Sequence, residues 1–357
     1  MRLLDNNHLA FLTLVQAGLW EKDVQLALYG KIDFSVIHKL AEEQSVVGLV
    51  TAGLDHVKDI KVPQEWTLQF IGETLQVEQR NKAMNEFIAT MVEKMRGKDI
   101  YALLVKGQGV AQCYEKPLWR PSGDIDFFFY SEGYNKAVEF FLAQENARQV
   151  QNAQYTKSFG VVIEPWFIEL HGTMRNGLST KMDKEIDAVQ RDLFYGGNVR
   201  SWMNGKTQVF LPDATNDVFL VFVHFVRHFY KEGVNLRQLC DWGRLIWAYR
   251  SELDVKFLEK RIERSGLMGE WKAFAAVVVD YLGMDVNVMP LYEDRGRLKR
   301  KAERIMEIIL LGCSGNKVRD TFEIAKVFPR NTMKFMPGIM WHVNWLKIRE
   351  RFFFTII

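Results

Sequence analysis

The sequence predicts an α+β protein in which a small mixed β-sheet core is flanked by N-terminal and C-terminal helical regions. Three observations support this fold class. Apolar residues recur at helical spacing in residues 1–97, short apolar runs alternate with turn residues in residues 98–212, and helical spacing returns in residues 213–357. We therefore divide the chain into an N-terminal helical region, an α+β core and a C-terminal helical domain with these bounds.

The N-terminal region is predicted to form three helices. They lie at Leu3–Leu14, Val36–Leu54 and Glu65–Met95, where apolar residues are three and four positions apart. The third segment is long and carries many charges, which is typical of an amphipathic helix. Gly97 and Lys98 follow it and indicate a helix end.

Short apolar runs begin at Ile100. The run Ile100–Val105 predicts a buried strand because it is short and continuous and is followed by Lys106-Gly107. Pro165 divides two later runs, since proline cannot donate to a strand ladder. The other segments predicted as strands are Asp124–Tyr130, Val161–Ile163 and Trp166–Leu170. The segments predicted as helices are Val110–Tyr114 and Tyr134–Ala147.

The C-terminal domain is predicted to be entirely helical. Asp213 is suited to cap the first helix, because its carboxylate can accept from the free backbone N–H groups of the first turn. Gly233 separates the first two helices, and Pro329 and Pro337 interrupt the last part of the chain. The predicted helices are Val218–Tyr230, Leu236–Tyr249 and the ranges 255–265, 268–282, 294–311 and 315–327.

Composition restricts the class of protein. The 357 residues include 47 basic and 44 acidic side chains, and this balance gives no strong signal for nucleic-acid binding. No apolar run reaches the roughly 18–20 residues of a membrane span, and the N-terminus lacks a signal-peptide pattern. We expect a cytoplasmic protein. The aromatic tail Arg349–Ile357 is expected to pack on its own domain, with contact to a membrane surface as the alternative.

The cysteines do not indicate a disulfide framework. Cys113, Cys240 and Cys313 are odd in number and far apart, and no pair has the spacing of a metal site. Free cysteine is usually buried as a small apolar residue, so we expect three buried thiols.

Two carboxylates on one predicted strand are the first candidate site. Asp124 and Asp126 are two residues apart, so on a strand they project from the same face while Ile125 enters the core. Adjacent buried carboxylates repel each other and lose hydration, which a divalent cation between them would offset. Magnesium prefers such hard oxygen ligands together with phosphate oxygens. The pair therefore predicts a magnesium site for phosphoryl or nucleotidyl transfer, whereas an isolated Asp-x-Asp would indicate a solvated turn.

Neighbouring residues favour the metal-site interpretation. Gly123 allows a close backbone approach, and Arg120 offers a bidentate fork for a phosphate, with Ser122 beside it. Lys106-Gly107 stands where a strand ends and a helix begins, and free N–H groups at a helix start favour an anion. We predict that these residues bind the phosphates of a nucleotide.

Glu169 is a charged residue within the apolar strand Trp166–Leu170. Buried charges need partners or metals, so a neighbouring strand is expected to bring Glu169 beside the aspartates. It would then be a third metal ligand or the base that activates an acceptor hydroxyl. Glu164 is the alternative, although Pro165 indicates a strand end there. His171 is either an adjacent polar contact or a hydrogen-bonded structural residue.

These motifs together resemble a known family. Lys-Gly, then Arg-x-x-Gly-Asp-x-Asp, then Glu-Leu-His is similar to the uncharacterised bacterial nucleotidyltransferase family of the polymerase-β-like superfamily. The resemblance implies that Asp124, Asp126 and Glu169 hold one or two Mg²⁺ ions and that ATP or another nucleoside triphosphate is the donor. Many superfamily members have Gly-Ser where this chain has Lys106-Gly107. The resemblance names no acceptor, preferred base or oligomeric state.

A later segment brings further polar residues into helical register. His224 and His228 are four residues apart, as are Arg237 and Asp241 on the next helix. A zinc site is one interpretation, but Phe225 stands where a metalloprotease motif needs glutamate. A buried polar network between the helices is another. The resemblance adds a third, which we prefer: the helix pair lines the nucleotide or acceptor pocket.

The sequence thus predicts a Mg²⁺-dependent nucleotidyltransferase that moves a nucleoside monophosphate to a hydroxyl acceptor and releases pyrophosphate. A small-molecule acceptor is favoured. The first alternative is a protein- or RNA-modifying enzyme of toxin or antitoxin type. The second is a non-catalytic nucleotide-binding or scaffold protein that retains the fold.

Overall fold

The computed structural model describes residues 4–153, 157–311 and 317–337. Within these ranges the chain forms fourteen α-helices, a five-stranded mixed sheet and a separate two-stranded sheet. The predicted α+β class is therefore confirmed. Cys313 and the tail Arg349–Ile357, for which burial and packing were predicted, lie outside the described residues.

Four helices make up the N-terminal region. Their bounds are α1 Asn6–Trp20, α2 Phe34–Glu43, α3 Val47–Leu54 and α4 Gln64–Arg96. The single helix predicted over Val36–Leu54 is wrong, because the backbone turns at Ser45, whose φ is 55°. The Gln44 side chain beside this turn donates to the carbonyl oxygen of Ile309 and accepts from the N–H of Leu236. Tertiary hydrogen bonds thus stabilise a break that helical periodicity does not predict.

Helices α1 and α3 pack with their backbones in close approach. A Cβ atom at Gly18 would lie 2.0 Å from the carbonyl oxygen of Leu49, and one at Gly53 would lie 2.1 Å from that of Leu14. Only glycine fits at these two positions, because a larger residue would force the helices apart.

The five-stranded sheet has the order β1-β2-β5-β4-β3. Its strands are β1 Ala102–Val105, β2 Asp124–Phe129, β3 Arg148–Ala153, β4 Ser158–Ile163 and β5 Trp166–His171. Strands β2 and β5 are parallel, while each other neighbouring pair is antiparallel. The parallel pair at the centre brings together two segments that are more than forty residues apart in sequence.

Several core elements were not predicted. Strand β3 has mostly polar side chains and lies at the sheet edge, so it lacks an apolar run. The other unpredicted elements are helix α7 Thr180–Phe194 and the hairpin β6 Val199–Asn204 with β7 Thr207–Pro212. The predicted short helices are present as α5 Gly107–Ala111 and α6 Ser131–Leu142. Each begins three residues before its predicted start, and α6 ends five residues before its predicted end.

The C-terminal helices agree closely with the periodicity. Asp213 caps the first of them as predicted, since its carboxylate accepts from the N–H groups of Thr215 and Asn216. Pro329 begins a further helix that was not predicted, because its proline was taken only as an interruption. The helices are α8 Ala214–Lys231, α9 Leu236–Ala248, α10 Val255–Ser265, α11 Met268–Asp280, α12 Gly296–Leu310, α13 Lys317–Val327 and α14 Pro329–Phe335.

Two hydrophobic clusters form the interior. The larger one joins the N-terminal helices, one face of β1 and β2, and the C-terminal helices, and the smaller one joins α4 and α6 to the rest of the sheet. Polar contacts also link the two helical regions: Gln16 donates to the carbonyl oxygen of Tyr281 at 2.9 Å, and the Trp20 indole donates to that of Leu282. Among the described residues, no helix has both the length and the apolar character needed to cross a membrane.

Candidate active site

Strands β2 and β5 bring three carboxylates to one place. In the parallel register Asp126 lies opposite Glu169, and Asp124 lies opposite Phe167. Because side chains on a strand alternate, Asp124 and Asp126 share a face, and Glu169 stands beside Asp126 on that face. All three border the same cavity. The predicted neighbouring-strand position of Glu169 is thus observed, whereas Glu164 lies in the turn after β4 and pairs with Arg148 in solvent.

Lys106 extends into this acidic cluster. It follows β1, which runs antiparallel to β2 with Val105 opposite Asp126. Its backbone has a φ of 57°, and Gly107 after it has a φ of 36°. This turn points the lysine inward, so that its Nζ lies 2.6 Å from Oδ1 of Asp126. The lysine side chain is only 14% exposed and the aspartate 2%.

Two further side chains hold the carboxylates. His171 lies two residues beyond Glu169 on the same face, with its Nε2 2.8 Å from Oδ1 of Asp126 and 3.6 Å from Oε2 of Glu169. The hydroxyl of Ser158 on β4 donates to Oε1 of Glu169 at 2.6 Å. His171 is therefore hydrogen-bonded to the acidic cluster, which fits both of its predicted interpretations, and it is not among the residues that line the cavity above the cluster.

The electrostatics of the cluster show how strongly it attracts positive charge. Asp126 and burial both raise the pKa of Asp124. Burial alone would raise the pKa of Asp126, but Lys106 and His171 outweigh it and lower that pKa. Burial alone would lower the pKa of Lys106, but Asp126, Asp124 and Glu169 outweigh it and raise that pKa. An ammonium group that stays charged while buried indicates a site with excess negative charge.

A cavity of about 370 Å³ opens over the carboxylates. This volume falls within the range of small-molecule sites. Its floor is the acidic cluster, and its opposite wall is formed by α8 and α9. The lining residues that sequence analysis predicted are Lys106, Gly107, Arg120, Asp124, Asp126, Glu169, His224, His228, Arg237 and Asp241. The helix pair therefore borders the site, as the family resemblance implied.

Arg120 is at the cavity wall but has a structural partner. Its Nε and Nη2 donate to the two carboxylate oxygens of Asp241 at 2.8 and 2.6 Å, and its Nη1 donates to Oγ of Ser122 at 2.7 Å. Both charged groups are buried. Ser122 and Gly123 are not among the residues that line the cavity; their carbonyl oxygens accept from Arg80 on α4. The loop before β2 is thus fastened to α4 and α9.

Arg237 is the cation on α9 that remains available to a ligand. Its Nη1 donates to the carbonyl oxygen of Pro121 at 2.7 Å, while its buried Nε has no hydrogen-bond partner among the described residues. Burial and the nearby Arg120 lower its pKa, and Asp241 partly offsets them. A guanidinium with an unsatisfied N–H, on a residue that lines the cavity, is suited to donate a hydrogen bond to an anionic ligand.

The two histidines of α8 form a pair of their own. Nε2 of His228 lies 3.1 Å from Nε2 of His224, and Nδ1 of His228 lies 2.8 Å from Oε2 of Glu232. Burial lowers the pKa of His224, and Lys106 lowers it further. Burial also lowers the pKa of His228, although Glu232 opposes it. The histidines and the Arg237–Asp241 pair make separate contacts, which disfavours one polar network between the two helices.

Some cavity residues were not predicted. They are Val110, Gln151, Val221, Phe225, Arg227, Glu232 and Gln238, and Ser158 contacts Glu169 beneath them. Glu232 was detectable in principle, because it lies four residues after His228 and so shares its helix face. Gln151 and Ser158 lie on strands whose alignment depends on long-range pairing, and no local pattern indicates them.

The donor set is suited to a metal ion. Asp126, Glu169 and His171 each offer one ligand atom, and these atoms lie within 4.8 Å of one another. Among the described residues a second group of this kind, His38, Glu42 and Glu73, lies in the N-terminal helices away from the cavity.

Comparison with known proteins agrees with the site. No curated protein and no solved structure matches the chain. A family model described as "Uncharacterised nucleotidyltransferase" matches residues 30–282, which is more than two thirds of the chain and includes every residue of the acidic cluster. The chain therefore belongs to this family of nucleotidyltransferases.

Proposed function

We propose that the protein is a Mg²⁺-dependent nucleotidyltransferase that moves a nucleoside monophosphate from a nucleoside triphosphate, such as ATP, to a hydroxyl acceptor and releases pyrophosphate. One observation carries this proposal. Asp126 and Glu169 stand side by side on parallel strands, with Asp124 on the same face, beneath a cavity of about 370 Å³. The Gly-Asp-x-Asp sequence of β2 together with this third carboxylate also supports membership of the polymerase-β-like superfamily and its bacterial branch.

The residues present fit a magnesium ion. Three carboxylates supply hard oxygen ligands, and the contact of 2.6 Å between the buried ammonium of Lys106 and Asp126 supports the idea that this position accommodates a positive charge. Asp124, Asp126 and Glu169 would hold one magnesium ion or two. When bound, magnesium would neutralise the negative charge that develops on the phosphate oxygens.

Positive groups on the cavity wall would bind the triphosphate. Lys106 can reach from Asp126 to a phosphate, and the backbone of Gly107 begins a short helix beside it. Arg237 offers an N–H group without a partner among the described residues. Arg120 adds positive potential at the wall, while Ser122 and Gly123 hold the loop that positions Asp124. His171 and Ser158 fix the orientations of Asp126 and Glu169.

The reaction exchanges one ester bond for another. The acceptor oxygen forms a bond to the α-phosphorus and loses its proton to a base, and the bond between the α-phosphorus and the bridging oxygen breaks. Pyrophosphate leaves with that electron pair. The chain binds and orients both reactants, so that a bimolecular step occurs within one complex.

The test measures metal and nucleotide binding as well as turnover. Wild type and Asp126→Asn are titrated with MgCl₂ by calorimetry and then with each of the four α-³²P-labelled nucleoside triphosphates. Removing one carboxylate ligand is expected to weaken magnesium-dependent nucleotide binding at least tenfold and to abolish pyrophosphate release. Thermal unfolding is followed in parallel to show that the variant is folded.

Asp55→Asn is the matched control. Asp55 is 70% exposed and pairs with Lys116 at 3.4 Å, outside the cavity. The same substitution there should leave magnesium and nucleotide binding unchanged. If Asp126→Asn bound magnesium and nucleotide as the wild type does, the proposed site would be wrong. Magnesium-dependent binding without turnover on any acceptor would instead favour a non-catalytic nucleotide-binding protein.

A further inference from the structure

A second cavity adjoins the active-site cavity. It has a volume of about 620 Å³ and lies between the turn that joins α8 to α9, the end of α12 and the turn after α2. The residues that line both cavities are His228, Glu232, Arg237 and Gln238. A molecule in the second cavity would therefore reach the carboxylate cavity past His228.

The walls of the second cavity differ from those of the first. Part of the wall is apolar and consists of Phe229, Val234 and Ile308–Leu311. Another part is polar and consists of Glu43, Gln44 and Asn235. The Gln44 side chain is already engaged by Leu236 and Ile309, so it shapes the cavity without being free for a ligand. Half of the fourteen residues that line this cavity are polar or charged, so it can offer both apolar contact and hydrogen bonds to a ligand. Its volume falls within the range of small-molecule sites.

We propose that this second cavity binds the acceptor, a small molecule with a hydroxyl group on an apolar body, and that His228 receives the hydroxyl proton. The proposal rests on the proposed function, because it assigns the second substrate of the same reaction. His228 would then be a catalytic residue, since it touches the reacting oxygen.

The contacts of His228 define which nitrogen is the base. Arg227 binds Oε1 of Glu232 at 2.8 Å, and Oε2 of Glu232 lies 2.8 Å from Nδ1 of His228. A carboxylate partner keeps the proton on Nδ1, so Nε2 carries the lone pair. Nε2 of His228 lies 3.1 Å from Nε2 of His224, and in this tautomer of His228 it would accept from the His224 ring. An acceptor hydroxyl that enters from the second cavity can replace His224 as the donor.

The proton transfer balances within this arrangement. The O–H bond of the acceptor breaks and its proton goes to Nε2 of His228, while the oxygen forms its bond to the α-phosphorus. The bond to the bridging oxygen breaks, and pyrophosphate takes the electron pair. Glu232 stabilises the imidazolium that results, and Arg227 keeps Glu232 in place.

A small molecule fits this geometry better than a macromolecule. The cavity is bounded by the N-terminal helical region at Glu43 and by the C-terminal helices at Ile308–Leu311, so its walls come from both flanking regions. The charge of the chain is close to balance, which offers little attraction to a nucleic-acid backbone.

The first experiment identifies the acceptor class and tests His228. Wild type is incubated with MgCl₂, α-³²P-labelled triphosphate and a cell extract separated into small-molecule, protein and RNA fractions. Label is expected in the small-molecule fraction. With that fraction as acceptor, His228→Ala should lower kcat about 10²- to 10⁴-fold, as loss of a general base does. Free imidazole should restore part of the rate, which a merely structural histidine would not allow.

The second experiment fills the cavity. Val234→Trp should raise KM for the labelled small-molecule fraction at least tenfold and leave nucleotide binding unchanged. Val255→Trp is the matched control, because Val255 is 39% exposed at the start of α10 and lines neither cavity. It should change neither KM nor nucleotide binding.

The outcomes separate the two proposals. If the wild type showed no magnesium-dependent nucleotide binding, the proposed function would be overturned, and so would this assignment. Nucleotide binding with label only in the protein or RNA fraction, or in none, would overturn the assignment alone. So would an unchanged KM in Val234→Trp, or a His228→Ala variant whose rate is normal or is not raised by imidazole.

Discussion

Replacing Asp241 by asparagine tests whether the loop before β2 depends on a buried ion pair. The carboxylate of Asp241 accepts two hydrogen bonds from Arg120, at 2.8 and 2.6 Å, and a third from the hydroxyl of Tyr114 at 2.8 Å. The Arg120 and Asp241 side chains are 7% and 8% exposed. Asparagine keeps the shape but removes the charge, so Arg120 would remain buried without a counter-ion.

Asp241→Asn is expected to lower the free energy of unfolding by a large amount for a single substitution. Breaking a buried ion pair by removing one partner costs about 3–5 kcal/mol. An unfolding entropy of about 2.1 cal/mol/K per residue gives about 0.75 kcal/mol/K for the 357 residues. A loss of about 4 kcal/mol therefore lowers Tm by about 5 °C. Calorimetry measures Tm directly, and urea unfolding measures the change in the free energy of unfolding.

Two comparisons make the result decisive. Asp55→Asn removes an exposed ion pair and should cost less than about 1 kcal/mol. The double variant Arg120→Met with Asp241→Leu leaves no charge of that pair buried, and it should recover more than half of the loss. If Asp241→Asn cost no more than Asp55→Asn, the reasoning about an uncompensated buried charge would be refuted.

Three further outcomes follow from the same contacts and from local packing. Burial alone would raise the pKa of Asp241, but Arg120 outweighs it and lowers that pKa. The stabilisation by Asp241 is therefore complete above the unfolded pKa of about 3.9 and is lost as pH falls from there through the lower pKa of the folded state. Urea unfolding should show a constant gap between wild type and Asp241→Asn from pH 7 to pH 5, and a gap that widens as pH falls would contradict this. Gly53→Ala should lower the free energy of unfolding by several kcal/mol, because its Cβ would meet a backbone oxygen. Gly72→Ala in α4 has open space and should raise the free energy of unfolding by about 0.5–1 kcal/mol. Equal effects of the two variants in thermal unfolding would be inconsistent with the close approach of α1 and α3. Burial raises the pKa of the Cys113 thiol to about 12 and also raises that of Cys240. Peptide mapping after alkylation should therefore find neither thiol modified in the native protein and both modified in denaturant. Rapid alkylation of either thiol in the native protein would show that this thiol is exposed.

Local pattern was enough to predict the parts of the fold that local interactions determine. The long helix α4, the N-cap at Asp213 and the C-terminal helices follow from apolar spacing and capping chemistry. The hairpin β6–β7 was missed, although its two-residue loop, Gly205-Lys206, begins with a glycine, and a glycine first in such a loop is a recognised hairpin signal. Gly205 has a φ of 62°. The break at Ser45 had no such signal, because its hydrogen bonds come from α9 and α12.

The candidate site divides in the same way. Asp124 and Asp126 are positioned by one strand, so strand alternation predicts their shared face. Glu169 depended on the correct choice of a neighbouring strand, and the parallel register agrees with that choice. The partner of Arg120 was not predicted: Asp241 was recognised only as a helix-face partner of Arg237, since the contact to Arg120 spans 121 residues of sequence.

The contacts between the first helices and the last ones have a consequence for synthesis of the chain. Gln16 contacts the carbonyl oxygen of Tyr281, 265 residues later. At the usual ribosomal rate of 5–20 residues per second, this partner emerges roughly 13–50 s after Gln16. During that interval α1 and α3 can pack against each other and against α2 and α4, but the surfaces that later contact the C-terminal helices stay in water. The nascent N-terminal region therefore exposes apolar surface until those helices have been made, and we expect a chaperone that covers such surface to bind it.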